Sequence, residues 1–217
     1  LTDIQIPDNI NYVGLDAFYN TGWYANEPDG LVYVGKTLYT YKGEMSQNNA
    51  NVSIRQGTVS ICDKAFSGCN NLTSIVIPES VTNIGSSAFN GCTGLMSITI
   101  PDSVTSIDNY TFSGCTSLTS IVIPYSVTSI GNYAFRGCTG LTNITIPSSV
   151  TNIDVSVFEG CTGLTSIFIP ESVTNIGTSA FKGCTGLTNV TIPSSLTNIN
   201  GSVFEGCTSL TSITIPD

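Results

Sequence analysis

Seven cysteines, Cys69, Cys92, Cys115, Cys138, Cys161, Cys184 and Cys207, follow one another at steps of 23 residues. Prolines at Pro78, Pro101, Pro124, Pro147, Pro170, Pro193 and Pro216 keep the same step. A fixed period of this length marks one supersecondary unit copied along the chain, each copy burying its apolar face against the next. The chain is therefore constrained to an elongated array rather than a globule around a single centre.

One copy runs from Pro78 to Ile100. Its Leu95-x-x-Ile98-x-Ile100 end alternates, which predicts a half-buried strand with Ile98 and Ile100 inward and Thr99 outward. Val81-x-x-Ile84 is a second, shorter apolar pair, and the Ala88-Phe89 step between them is too short for a helix and predicts one tight turn. Stacked strands lie about 4.8 Å apart. Burying six large apolar side chains does not offset the entropy of ordering a whole copy, so hydrogen bonds between coils are needed, and these exist only in a stack.

Two columns read as backbone demands. The residue after the second Ile is Gly14, Gly85, Asp108, Gly131, Asp154, Gly177 or Asn200. All three residue types tolerate positive φ, so a left-handed turn residue is expected there, with a locally different turn at Cys62, which breaks the rule. The glycine before each periodic cysteine (Gly68, Gly91, Gly114, Gly137, Gly160, Gly183, Gly206) is expected to have positive φ as well, with Asn20 in its place in the first copy.

The pattern Ala-Phe-x-Gly-Cys-Thr-x-Leu-Thr-Ser-Ile-x-Ile-Pro-x-Ser-Val-Thr-x-Ile-Gly resembles the BspA-like leucine-rich repeats of bacterial surface proteins, over residues 1–20 and about 50–217. The resemblance implies an α/β but strongly β-rich chain: a right-handed, horseshoe-like leucine-rich-repeat solenoid of 23-residue repeats, with one strand per repeat on the concave side. It also implies a place at the cell surface and binding of host or matrix proteins or of other cells. The family offers no shared binding residues to transfer. Similar repeats occur in some parasitic protists, so the resemblance leaves the source open.

Residues 1–217 read as one such array, with an insertion at about 22–46. Only 10% of residues are charged and the net charge is −9, with six basic residues spread along the chain. That argues against DNA, RNA and anionic membranes as partners, because phosphate binding needs clustered Lys and Arg. No run of 18 apolar residues is present, so no direct membrane insertion is expected. Both ends fall inside a repeat and no export signal precedes the first, which leads us to expect a fragment of a longer protein whose export signal and anchor lie elsewhere. The uncapped strands Ile4–Ile6 and Ile213–Ile215 raise end-to-end self-association.

Catalysis is not expected. The chain has no histidine, which removes Ser-His-Asp and Cys-His chemistry. No pair of carboxylates stands out, and no phosphate-cradling glycine loop or calcium loop is present. No cofactor or metal is expected, since no Cys-x-x-Cys occurs. The periodic cysteines read as buried free thiols acting as small hydrophobes. Equivalent positions one coil apart are near enough for a bridge, but in-register side chains point the same way.

Candidate binding residues fall in two places. The segment 22–46 carries the only tryptophan, Trp23, with Tyr24, Tyr33, Tyr39 and Tyr41, and Tyr19 at its edge. Leu31–Val34 and Thr37–Tyr41 read as a hairpin turning at Gly35-Lys36. Its aromatics suit interface anchoring or sugar stacking, or packing against the array. The second place is the outward strand row Gln5, Ser53, Val76, Thr99, Val122, Thr145, Phe168, Thr191 and Thr214, beside the row Ser74, Ser97, Ser120, Asn143, Ser166, Asn189 and Ser212. Thr99, Thr145, Phe168 and Thr191 are the candidates there. Arg136, Glu159, Lys182 and Glu205 alternate in sign after the phenylalanines and read as register support. Tyr110 and Tyr133 share a repeat position and should stack, and with Tyr125, which lies after its proline beside the Asp102 column, they could form a small aromatic patch. Asn-x-Ser/Thr sites at Asn51, Asn71, Asn109, Asn143, Asn189 and Asn200 follow from the Ser/Thr/Asn-rich repeat. Three readings stay open: a surface adhesion module for a protein ligand, a carbohydrate-binding module, and a spacer with no ligand of its own.

Overall fold

The computed structural model describes residues 2–7, 9–46 and 51–215; Leu1, the last periodic proline Pro216 and Asp217 lie outside the described residues. Each regular copy contributes short strands to two parallel ladders, and every parallel pairing is offset by 23 residues. The first ladder joins Val52 to Ile75 and Ile75 to Ile98. It continues through Thr99, Val122, Thr145 and Phe168, then through Ile167, Val190 and Ile213. The second joins Leu38, Ile61 and Ile84, and farther along Ile107, Ile130, Ile153 and Ile176. Val81-x-x-Ile84 thus ends in a short strand, Asn83–Ile84, which pairs with Ser60–Ile61 of the preceding coil.

Between the ladders the chain makes consecutive tight turns. The Ala88 amide donates to the Gly85 carbonyl at 3.2 Å, Asn90 to Ser87 at 3.0 Å and Cys92 to Phe89 at 3.1 Å. The turns also bond coil to coil: Ser87 donates to the Asn109 carbonyl at 2.9 Å, Phe89 to Thr111 at 2.9 Å and Gly91 to Ser113 at 2.7 Å. A third ladder of backbone hydrogen bonds therefore runs through the turns, which answers the accounting that no single copy could close.

Identical side chains form internal columns. The rings from Phe66 to Phe204 stack with centroids 5.3–5.7 Å apart and planes within 11°. Phe89, Phe112 and Phe135 lie in sequence in that stack and are fully buried. The cysteines are free thiols. Cys92, Cys115, Cys138, Cys161, Cys184 and Cys207 each donate Sγ–H to the carbonyl of a phenylalanine 26 residues earlier, at 3.1–3.2 Å. A serine column does the same nearer the surface: Ser126 Oγ donates to the Val104 carbonyl at 2.7 Å and Ser172 Oγ to that of Val150 at 2.7 Å.

The column of Gly85, Asp108, Gly131, Asp154, Gly177 and Asn200 corrects one expectation. The left-handed residue is not there but two positions later, at Lys64, Ser87, Tyr110, Tyr133, Ser156, Ser179 and Ser202, all with φ between 54° and 60°. The glycines serve space instead. A Cβ on Gly85 would lie 2.3 Å from Asp63 Oδ1 and 2.6 Å from its amide nitrogen, and one on Gly177 would lie 2.6 Å from the Asp154 carbonyl carbon. Glycine therefore alternates with Asp or Asn in successive coils. Cys62 does not change the turn, since Lys64 keeps φ 58°. The second expected column does have positive φ: Gly68 to Gly206 lie at 70–76°, and Asn20 at 57°.

Near the N-terminus the pattern loosens. A short helix α1 (Gly22–Asn26) starts at Thr21, whose hydroxyl accepts from the Tyr24 amide at 3.2 Å. Strands β1 (Gly30–Val34) and β2 (Thr37–Lys42) pair antiparallel across Gly35, whose φ is 58°. β2 also pairs parallel with the next coil, Leu38 opposite Ile61, so the hairpin is threaded into the second ladder. β2 then runs straight to Lys42, through the place where the regular copies make their turns.

Candidate functional site

The first ladder presents its outward residues as a flat, uncharged strip. Thr99, Thr145 and Thr191 are exposed, and between them Val76, Val122 and Phe168 stand 61%, 75% and 67% exposed. The apolar residues recur at every second coil, about 10 Å apart at ordinary strand spacing. These are the large apolar side chains that the outward row leaves in water. Met96, 58% exposed, adds to the strip, although the sequence reading passed over it. The signal was available: Met96 alone interrupts the column Thr73, Thr119, Thr142, Thr165, Thr188 and Thr211. The hydroxyls of that column are partly engaged, since Thr165 Oγ1 donates to the Thr142 carbonyl at 3.3 Å and Thr188 Oγ1 to Thr165 at 3.2 Å.

The aromatic segment is arranged differently. Trp23 meets Phe18 edge-on at 5.1 Å. Tyr39 is buried, and its hydroxyl accepts from the Phe18 amide at 3.1 Å. The Tyr33 hydroxyl accepts from the Arg55 amide at 2.9 Å while the Arg55 guanidinium lies 4.3 Å from the ring centre. Tyr41 packs 6.3 Å from Phe66, extending the phenylalanine stack. Lys42 Nζ donates to the Ala25 carbonyl at 2.9 Å and to that of Glu27, and sits 5.3 Å from the Tyr24 ring centre. These contacts hold α1 and β2 together and leave Tyr19 and part of Tyr24 facing solvent. Burial pushes the Tyr24 and Tyr39 phenols above their ordinary range.

The charged row forms two ion pairs, Arg136–Glu159 at 3.4 Å and Lys182–Glu205 at 2.9 Å, each joining adjacent coils. Tyr110 and Tyr133 stack at 4.7 Å, and Tyr125 is exposed. Burial pushes the Cys115 and Cys161 thiols up to about 12, so they stay protonated and unreactive. Among the described residues no cluster of potential ligands could hold a metal ion, and no helix is long and apolar enough to cross a membrane.

A solved leucine-rich repeat protein from Bacteroides ovatus is 36% identical, with a TM-score of 0.77 over 88% of this chain and 50% of its own. A leucine-rich cell surface protein from Faecalibacterium prausnitzii is 32% identical, with a TM-score of 0.57 over 77% of this chain and 60% of its own. The leucine-rich repeat protein of T. pallidum is also 32% identical, with a TM-score of 0.56 over 70% and 82% of the two chains. The chain thus spans about half the length of the Bacteroides ovatus protein. The curated proteins returned no match. A family model for the BspA type leucine-rich repeat region matches six copies, over residues 36–163 and 105–217. The chain belongs to the BspA-type leucine-rich repeat family.

Proposed function

We propose that this chain is a non-enzymatic adhesion module, displayed at the cell surface, that holds a protein ligand from a host, a matrix or another cell on the outward strip of its first ladder. The observation that carries the reading is the row of Val76, Val122 and Phe168, exposed and set among hydroxyls with no charge between them. An apolar anchor supplies most of the energy in a protein interface, and neighbouring hydroxyls satisfy the partner's polar groups. Covering this strip strips water from no ion, so desolvation costs little. The ladders beneath are bonded on both sides, so the surface is preorganised and little entropy is lost on docking. A surface location is supported by the similar Faecalibacterium prausnitzii protein, which is described as a cell surface protein.

The test is a panel of immobilised matrix and host cell-surface proteins read by surface plasmon resonance. At least one should be retained, and Phe168→Ala should weaken it by about tenfold or more, as removal of a central aromatic anchor does. Retention of no protein, or retention indifferent to Phe168→Ala, contradicts the reading and favours a spacer.

A further inference from the structure

The irregular coil leaves a cleft between two turns of the array. Leu15, Asp16 and Tyr19 are matched 48 residues later by Asp63, Lys64 and Ser67, that is, by the same turn two coils on. The coil between them should bring its own turn into the space separating these two. It does not, because β2 runs straight past. The result is an open cleft of about 320 Å³, with the two turns as its lips, Tyr39 and Thr40 as its floor and Tyr24 at its end.

The missing turn removes hydrogen bonds as well as volume. In the regular copies the left-handed residue donates its amide to the next coil: Lys64 to the Ser86 carbonyl at 3.0 Å, Ser87 to Asn109 at 2.9 Å, Tyr110 to Asn132 at 2.9 Å. Asp16 holds the same conformation, φ 60°, yet among the described residues no carbonyl receives its amide. Two positions on, the Phe18 amide has found a substitute in the Tyr39 hydroxyl, at 3.1 Å. On the opposite lip the Ala65 carbonyl is taken by the Tyr41 amide at 2.7 Å, while the Asp63 and Ser67 carbonyls receive no amide from the described residues of the irregular coil. One lip thus offers a donor and the other offers acceptors. The side chains add the Asp16 carboxylate, an ammonium at Lys64, and the rings of Tyr19 and Tyr24, 6.3 Å apart and inclined by 47°, while the Asp63 carboxylate contributes charge from the lip, its Oδ1 accepting from the Ser86 amide at 2.8 Å.

From this arrangement we infer that the cleft is a binding site for a neutral sugar unit. A sugar hydroxyl both donates and accepts, so one ring can answer the Asp16 amide on one side and the Asp63 and Ser67 acceptors on the other. Its C–H face lies against a tyrosine ring, which is apolar on its faces. Two carboxylates against one ammonium leave the cleft net negative, which selects against sialylated and other acidic glycans. The volume lies in the range of small-ligand clefts. This site is separate from the ladder strip and does not depend on it.

The test is an array of neutral and sialylated glycans probed with the 217-residue chain, followed by calorimetric titration of the best neutral hit. Tyr19→Ala and Asp16→Asn are suitable variants, because Tyr19 is 60% exposed and Asn tolerates the φ of Asp16. The expected result is neutral glycans bound and acidic ones refused, with Tyr19→Ala weakening binding about tenfold, as loss of a ring face does, and Asp16→Asn, which removes one negative charge from the cleft, admitting acidic glycans that the parent chain refuses. Phe168→Ala should leave glycan binding unchanged. Silence on the array, preference for acidic glycans, binding indifferent to both cleft substitutions, or a cleft that takes peptides and no sugar would each overturn the inference.

Discussion

Phe135→Ala is the perturbation that the stacked architecture answers most specifically. Phe135 is fully buried and lies 5.5 Å from the ring of Phe112 and 5.6 Å from that of Phe158. Truncating a buried phenylalanine costs about 3–5 kcal/mol, and each lost ring pair accounts for about 0.5–1.5 of that. Two stacked neighbours and no exposure put Phe135→Ala at the upper end, about 5 kcal/mol. Among the described residues Phe204 stacks on Phe181 alone and is partly exposed, so Phe204→Ala should cost about 2 kcal/mol by the same reasoning. The location of the loss matters as much as its size. In a nearest-neighbour array a weak central coil uncouples the two halves. Urea unfolding followed by circular dichroism should then broaden or split. The fluorescence of Trp23, the only tryptophan, reports the N-terminal end alone and should shift less. If Phe135→Ala costs under about 1 kcal/mol, or no more than Phe204→Ala, the column is not what couples the coils.

Other outcomes follow from the same geometry. Gly131→Ala places a Cβ 2.6 Å from Asn109 Oδ1 and 2.9 Å from its amide nitrogen, and that Oδ1 is held by the Asn132 amide at 2.7 Å. Chemical denaturation should register a loss of about 1–3 kcal/mol, against less than about 0.5 for Gly201→Ala, where nothing lies within 4 Å. Thiol reagents at neutral pH should modify at most Cys69 in the folded chain and all eight cysteines once it is denatured. Unfolded thiols ionise near 9 whereas Cys115 and Cys161 keep their protons to about 12, so between those values the folded state binds more protons than the unfolded. The thiols' contribution to stability should therefore be level below pH 9 and fall as pH rises through that window, measurable as a falling Tm.

Much of this was legible in the residues because a repeat displays each demand many times over. The inward isoleucines, the phenylalanine stack and the outward row all emerge from period and alternation alone, and the Gly35-Lys36 turn from turn chemistry between two apolar runs. The glycines at Gly85, Gly131 and Gly177 were misread because glycine is both permissive and small, and sequence alone does not separate the two. Only the distances to Asp63, Asn109 and Asp154 show that size is the reason. Tyr110 and Tyr133 gave no hint of positive φ, since the carbonyls of Asn132 and Val155 that hold their amides belong to the next coil. The tyrosines around α1 announced an unusual region but not which rings pack and which face solvent. The cleft is harder still to foresee, because it arises from a turn that β2 does not make.

The central claim is that copies lie in register along one axis, and electron spin distances test it most directly. With Cys69→Ser as background, spin labels would be placed at Thr99 and, in turn, at Phe168, Thr191 and Thr214, the buried thiols remaining unlabelled. The stack predicts separations near 14, 19 and 24 Å, growing by about 4.8 Å for every 23 residues. Distances that do not grow in equal steps, or that shorten between Thr191 and Thr214, would contradict it.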